Sequence, residues 1–381
     1  MRLGEPVDER LPWVRTIENL QEARSLSLAG QRAVAIHAEG DRLREDLRNQ
    51  GPVQAIRTIP LATLLYPLSF AFNRALWRPS PFVMMTHRSL LVQVRSDGET
   101  RNILFNPTDY KASRATPYFA RLIDRFGEGL TNRLGREFGQ VDTQLAQFGL
   151  SAADIDLIAF DHFHTQDLRP LLGCETPSAS IAARFPNAML LAPRKEWDDW
   201  DNLHPLQRPW FVAEGKLGLP QERVILTDAD LSLGPGAALL RTPGHTTGNQ
   251  TLFVHGERGI FGCSENATSA DGWAPKASRL RGLRRFADTF DAEVILNSNT
   301  PELCAEQYTS MLLEKSMVDP SEKNPDFPQM LPSSEVTPSW LCPGLRPSMI
   351  FGERDSGEVL ASGSRQSAQR NTTASAAAPA V

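Results

Sequence analysis

Two short stretches of the 381-residue sequence concentrate side chains able to do chemistry. The first is DHFHTQD, Asp161 to Asp167. In an extended segment, side chains at i and i+2 project to the same side. His162 and His164 can therefore converge on one point. Asp167 follows at the turn into the next segment. Imidazole suits zinc, and a carboxylate adds a harder ligand. The second stretch is RTPGHTTGNQTLFV, Arg241 to Val254. His245 follows Pro-Gly, and small residues let the backbone bend so that the ring points into a pocket. Three protein ligands and one open position are the signature of a catalytic zinc site. Taken singly, each stretch also describes an ordinary polar loop.

Both stretches need strands to hold them. The run 155–160 (IDLIAF) reads as a buried strand feeding directly into His162. Strands over 238–241 and 251–254 bracket His245. Further strands are expected at 34–37, 188–192, 224–226, 259–261 and 293–296. Two β-rich runs within 89–105 are joined by Ser96-Asp97-Gly98-Glu99, a strong hairpin signal. Helical spacing marks 117–136 and 141–148, and helices are expected at 41–50, 277–290 and 301–315. Short strands with helices between and beyond them fit an α/β protein of two sheets flanked by helices.

With both motifs in place, the sequence resembles the metallo-β-lactamase superfamily. The family carries HxHxDH followed by a PGHT-type histidine, and this chain carries HFHTQD and then TPGHTTG. The likeness spans roughly residues 85–300. It implies an αββα sandwich with the metal at the edge between its two sheets.

The departures are specific. The family places an Asp two positions after the second His and a further His after that. Here Gln166 and Asp167 stand in those places, followed by Leu168. The usual second-metal His is missing. The family's bridging Asp corresponds to the stretch GIFGCSENAT, where Glu265 is the best carboxylate. The final His corresponds to Asn299, whose amide oxygen is a weak zinc ligand suited to hydrogen bonding. The expected metal ligands are His162, His164 and His245, with Asp167 and Glu265 as candidate oxygen ligands. One firmly held zinc is expected, and a second, oxygen-rich site would suit Mn or Fe better.

The resemblance implies hydrolysis of a small molecule's ester, lactone, thioester or amide carbonyl by hydroxide on the metal. Asp167 and Glu265 are the candidate bases, and Asn249 and Asn299 the candidate substrate contacts. Two other readings stay open: an oxidoreductase using non-haem iron on the same scaffold, and a non-catalytic metal-binding scaffold.

Bulk properties narrow the partners. Hydrophobic residues make up 41% and charged residues 22% of the chain, as in globular proteins. A net charge of −5 and the lack of a basic stripe argue against nucleic acid. The apolar run 59–77 contains Pro60, Pro67, Asn73 and Arg74, so it reads as a buried or pocket-lining segment, not a membrane span. Trp197, Trp200, Trp210 and Phe211 could form a lid over an apolar pocket or a packing patch. Four widely spaced cysteines and a polar N-terminus suggest a reduced, cytoplasmic setting with no disulfide framework. The expected organisation is a domain over 1–355, with an N-terminal extension (1–80) and a Pro-rich arm (318–355). A Ser/Ala/Thr-rich tail (356–381) is expected to be disordered. Oligomeric state is left open.

Overall fold

The turn at Asp97-Gly98 shows how local chemistry builds the sheet that carries the site. Both residues have positive φ, 54° and 80°, as a two-residue hairpin with the natural strand twist requires. The flanking strands pair in register from Ser96↔Glu99 to Leu90↔Phe105. This computed structural model describes residues 1–129, 131 and 135–360.

In chain order the first strands are β1 (Leu3–Pro6), β2 (Arg15–Ile17), β3 (Ala55–Pro67), β4 (Phe82–Ser96), β5 (Glu99–Phe105) and β6 (Leu157–Ala159). Next come β7 (Cys174–Thr176), β8 (Ala179–Ile181), β9 (Met189–Pro193), β10 (Val224–Thr227), β11 (Asp230–Ser232) and β12 (Ala237–Arg241). The last are β13 (Gln250–Gly256), β14 (Gly259–Ser264), β15 (Met330–Pro332), β16 (Ser334–Thr337) and β17 (Ser356–Gly357). One sheet has the order β1-β2-β11-β12-β13-β14-β15. The other runs β10-β9-β6-β5-β4-β3-β17, with β16 also on β4. Strands β7 and β8 form a small separate ribbon.

Three apolar layers define the architecture. Val92, Ile103 and Leu157 of one sheet pack against Leu239, Leu252 and Phe261 of the other, making the central layer. The opposite face of the β4 sheet (Leu91, Leu104, Ile158) packs on Val141, Leu145, Trp197 and Leu283 from helical segments. The opposite face of the β13 sheet (Leu240, Phe253, Ile260) packs on the helices Ala29–Asn49 and Cys304–Ser316 through Leu43, Leu47 and Met311. The fold is thus an αββα sandwich. Burying each such leucine side chain contributes about 1.5–3 kcal/mol.

Several expected elements are redrawn. Residues 34–37 lie inside the helix Ala29–Asn49, because Ile36, Leu43 and Leu47 together form a helical stripe that packs on the sheet. Residues 293–296 form no ladder. That segment is held by Ile295 N–H to Gly272 O and Asn297 N–H to Asn266 O. The expected helix over 117–136 runs from Pro117 to Phe126, and its apolar position Leu130 lies outside the described residues.

Among the described residues, both terminal portions contribute strands to the sheets. Strand β3 pairs with β4 from Ala55↔Gln93 to Pro67↔Phe82, so part of the expected N-terminal extension is an inner strand of that sheet. The Pro-rich arm crosses between sheets. Its β15 lies parallel to β14, and after Ser333 its β16 pairs antiparallel with β4. Order extends beyond 355, since β17 pairs with β3 and Leu360 N–H donates to Gln93 Oε1. The rest of the expected tail, 361–381, lies outside the described residues.

Candidate metal centre

Two turns, one from each sheet, meet at the strand ends. After β6 the chain bends at Asp161 and brings His162 and His164 together. Thr165 then adopts φ 64°, rare for a β-branched residue, and its N–H donates to Trp210 O at 2.6 Å. This left-handed step turns the chain away once His164 is placed. Between β12 and β13, the loop 242–249 closes with Thr242 N–H to Asn249 O at 2.8 Å. Gly244 is required there, because a Cβ on it would fall 2.3 Å from Gln307 Cα.

Cross-links fix one turn against the other. Gln250 donates its N–H to Asp161 O and its side chain to Phe160 O. Glu196, fully buried, accepts from Phe163 N–H at 2.8 Å and from Thr246 Oγ at 2.7 Å. One carboxylate therefore clamps the residue between the first two histidines and the residue after the third. Burial pushes its pKa up to about 7, although His162 nearby opposes the rise.

The outcome is a cluster of His162, His164 and His245, all buried, with one ligand nitrogen from each within 4.8 Å of the others. Their ring centroids lie 4.5–4.9 Å apart. Hydrogen bonds on the outer nitrogens select the inner ones. His162 Nδ1 is 2.7 Å from Asp161 Oδ1, which leaves Nε2 for the site. His164 Nε2 is 2.8 Å from Gln207 Oε1, and the Gln207 amide nitrogen donates to Thr300 and Glu302. That leaves His164 Nδ1 inward, 3.2 Å from His245 Nε2. His245 Nδ1 is buried and makes no hydrogen bond of good geometry. The Asn297 backbone lies close enough to favour its protonated form.

This donor set fits a cation. Burial, and then the charge of His162, hold His164 and His245 well below the usual imidazole range. They are neutral at pH 7 and have lone pairs to offer. Burial would also depress His162, but the Asp161 carboxylate overrides it and raises the ring. Asp161 is further held by the Ser333 hydroxyl. A carboxylate on the outer nitrogen orients a ligand ring and makes it a stronger donor.

A cleft opens above the cluster. Its walls are mainly apolar, with Leu61, Leu64, Tyr118, Phe119 and Ile123 among them, and His162, His164 and His245 reach it. Trp210 also borders it, stacked 4.7 Å from Tyr118. Trp197, Trp200 and Phe211 are core residues. The apolar run 59–77 lines the cleft through Leu61, Leu64 and Tyr66, whereas Arg74 does not line it.

No protein-family model matches the chain, and no curated protein matches its sequence. Solved structures do resemble it. A probable metal-dependent hydrolase from Staphylococcus aureus is 16% identical, over 58% of this chain and 77% of that one, with a TM-score of 0.45. An N-acyl homoserine lactone hydrolase with N-hexanoyl-L-homoserine bound at its catalytic metal centre is 15% identical, over 64% and 90%, at 0.42. A dizinc quorum-quenching lactonase is 14% identical, over 63% and 84%, at 0.40.

The remaining expected site residues divide. Asp167 is not brought to the cluster. Its carboxylate is engaged by Arg169, at 2.9 Å to Nε and 2.7 Å to Nη2, in a two-pronged pair that uses both oxygens. The turn after Thr165 points it there, while Gln166 lines the cleft. Asn249 is also redirected. It braces the His245 loop, donating to Thr242 O at 3.0 Å, and does not line the cleft. Glu265 and Asn299 both line it. Glu265 accepts the Ser334 N–H at 2.8 Å, and burial with Asp161 nearby pushes its pKa up to about 8. Asn299 is buried, and its Nδ2 has no partner.

Sequence reading missed Glu196, Gln207, Asn266 and Glu314. Asn266 accepts the His245 N–H at 3.0 Å and is itself held by Glu314 at 2.7 Å. Asn266 adjoins Glu265, which was a usable signal. Glu196, Gln207 and Glu314 reach the site only through long-range packing.

Proposed function

We propose that this protein is a metal-dependent hydrolase that cleaves an ester, lactone, thioester or amide of a small molecule bearing an apolar chain or ring. The observation that carries the reading is the set of three buried, converging imidazoles at the floor of an apolar cleft. His162 Nε2, His164 Nδ1 and His245 Nε2 would hold the ion, zinc in this reading. When bound, a divalent ion supplies Lewis acidity toward a carbonyl and toward water.

The chain's own residues then have distinct tasks. The apolar walls seat the substrate's hydrocarbon part and displace water from the reacting carbonyl. Asn299 Nδ2, a buried donor without a partner, hydrogen-bonds the carbonyl oxygen as negative charge builds on it. Glu265, with its pKa near 8, can hold a proton at neutral pH and pass it to the leaving group. Asp161, Gln207, Glu196 and Asn266 keep the rings in place.

The test is hydrolysis of a graded series of aryl esters and lactones, with metal content measured on the same samples. We expect activity that a chelator abolishes and Zn²⁺ restores, and that His162→Ala loses together with the metal. A well-folded wild type without metal, or a His162→Ala protein of undiminished activity, would overturn the proposal.

A further inference from the structure

A chain of hydrogen-bonded side chains lines the cleft beside the three histidines. Gln166 stands where the family has its Asp, and donates Nε2 to Thr108 Oγ1 at 2.9 Å. The Thr108 hydroxyl is also 2.9 Å from His87 Nε2. His87 Nδ1 is 2.9 Å from Ser334 Oγ, and Ser334 N–H donates to Glu265. Gln166, Thr108, His87, Ser334 and Glu265 all line the cleft.

The first member of the chain has a fixed direction. An amide nitrogen can only donate, so Thr108 accepts from Gln166 and keeps its own hydrogen and a second lone pair for His87 Nε2. In either tautomer one His87 nitrogen donates to a hydroxyl oxygen and the other accepts from a hydroxyl, Thr108 Oγ1 on Nε2 and Ser334 Oγ on Nδ1. Both ring nitrogens are thereby used, and this imidazole has no lone pair left for a metal.

The remaining oxygen donors do not make up the loss. Asp167 is committed to Arg169. The free Oε1 of Gln166 is buried but uncharged. Glu265 is the one carboxylate among these cleft residues. Two divalent ions 3.5–4 Å apart, the spacing typical of two-metal sites, repel strongly and need several anionic ligands between and around them. These residues do not fit a second ion.

We infer that the chain works with one metal, and that the Gln166–Thr108–His87–Ser334 chain takes the structural place of the second ion by anchoring Glu265. This rests on the three-histidine reading.

The experiment is dialysis of the full chain against excess Zn²⁺, with bound metal counted by elemental analysis, and a parallel Co²⁺ titration followed by its visible spectrum. The wild type should saturate at about one equivalent. Gln166→Asp combined with Asn299→His returns a carboxylate and an imidazole, and should raise the count to about two. Two equivalents on the wild type would overturn the inference, as would one equivalent on a folded double variant. Should that variant not fold, the wild-type count still decides. No metal on the wild type would overturn the three-histidine reading and this inference with it.

Discussion

Asp161 and His162 are bound to each other twice: the same carboxylate oxygen takes the His162 backbone N–H at 2.8 Å and its ring Nδ1 at 2.7 Å. The contact fixes both the rotation of the ring and the nitrogen it presents. Asp161→Ala removes that constraint without removing a ligand. Zinc affinity, measured by competition with a chromogenic chelator, should fall by about 10–100-fold. An unchanged affinity would show that packing alone orients the ring.

His164→Ala removes a ligand, so its effect should be larger. Bound zinc and hydrolysis should both drop to background, at least ~100-fold. The melting temperature in the presence of chelator should fall only modestly, since the variant loses one hydrogen bond to Gln207 and a ring contact with Phe211. A large melting shift without metal would mean that the cluster serves the fold before it serves chemistry.

The Pro-Gly before His245 is a test of backbone fit. A Cβ at Gly244 would lie 2.3 Å from both Cα and Cβ of Gln307. Forcing the loop away from that helix should cost about 1–3 kcal/mol and displace His245. Gly244→Ala should therefore lower stability in denaturant and weaken zinc binding together. Loss of one without the other would separate the loop's packing from its ligand.

Glu314 predicts a pH dependence of stability. Burial raises its carboxyl to about 7 from 4.5, against the pull of hydrogen bonds from Asn266, Trp273 and Thr251. The folded state therefore holds this proton more tightly than the unfolded chain. The stabilisation is complete below about pH 4.5 and is lost as pH rises through about 7. Its full size is on the order of 3 kcal/mol. Glu314→Gln removes the titration, so urea midpoints should fall less steeply with rising pH in the variant than in the wild type. Parallel slopes would mean that Glu314 keeps its ordinary carboxyl behaviour.

The cleft wall predicts substrate preference. Phe119 lines it, edge-on to Tyr118. Phe119→Ala should lower kcat/KM about 10–100-fold for esters with long acyl chains and leave acetyl esters nearly unaffected. Equal losses on both would place Phe119 in scaffolding instead of recognition.

What could be read in the sequence was local. HFH after an apolar run, PGH between two strand patterns, and Asp-Gly between β-rich runs each encode their geometry within a few residues, and the structure has all three in the expected form. The strand expected at 34–37 failed because its apolar residues belong to a longer helical stripe, legible only with Leu43 and Leu47 included. Asp167 does not join the three histidines, because its carboxylate pairs with Arg169 while Gln166 before it lines the cleft.

The sequence by itself determined which residue types could bind a metal and the strand ends that carry them, since period-two projection and small-residue turns are short-range effects. Only the tertiary structure decided which of those residues meet. Gln250 and Glu196 join the two turns across the sheets, Gln207 selects the nitrogen that His164 presents, and the crossing at Ser333–Ser334 delivers hydrogen bonds to Asp161 and Glu265. These partners lie tens to hundreds of residues away, and their positions follow from how the two sheets pack, which no local pattern specifies.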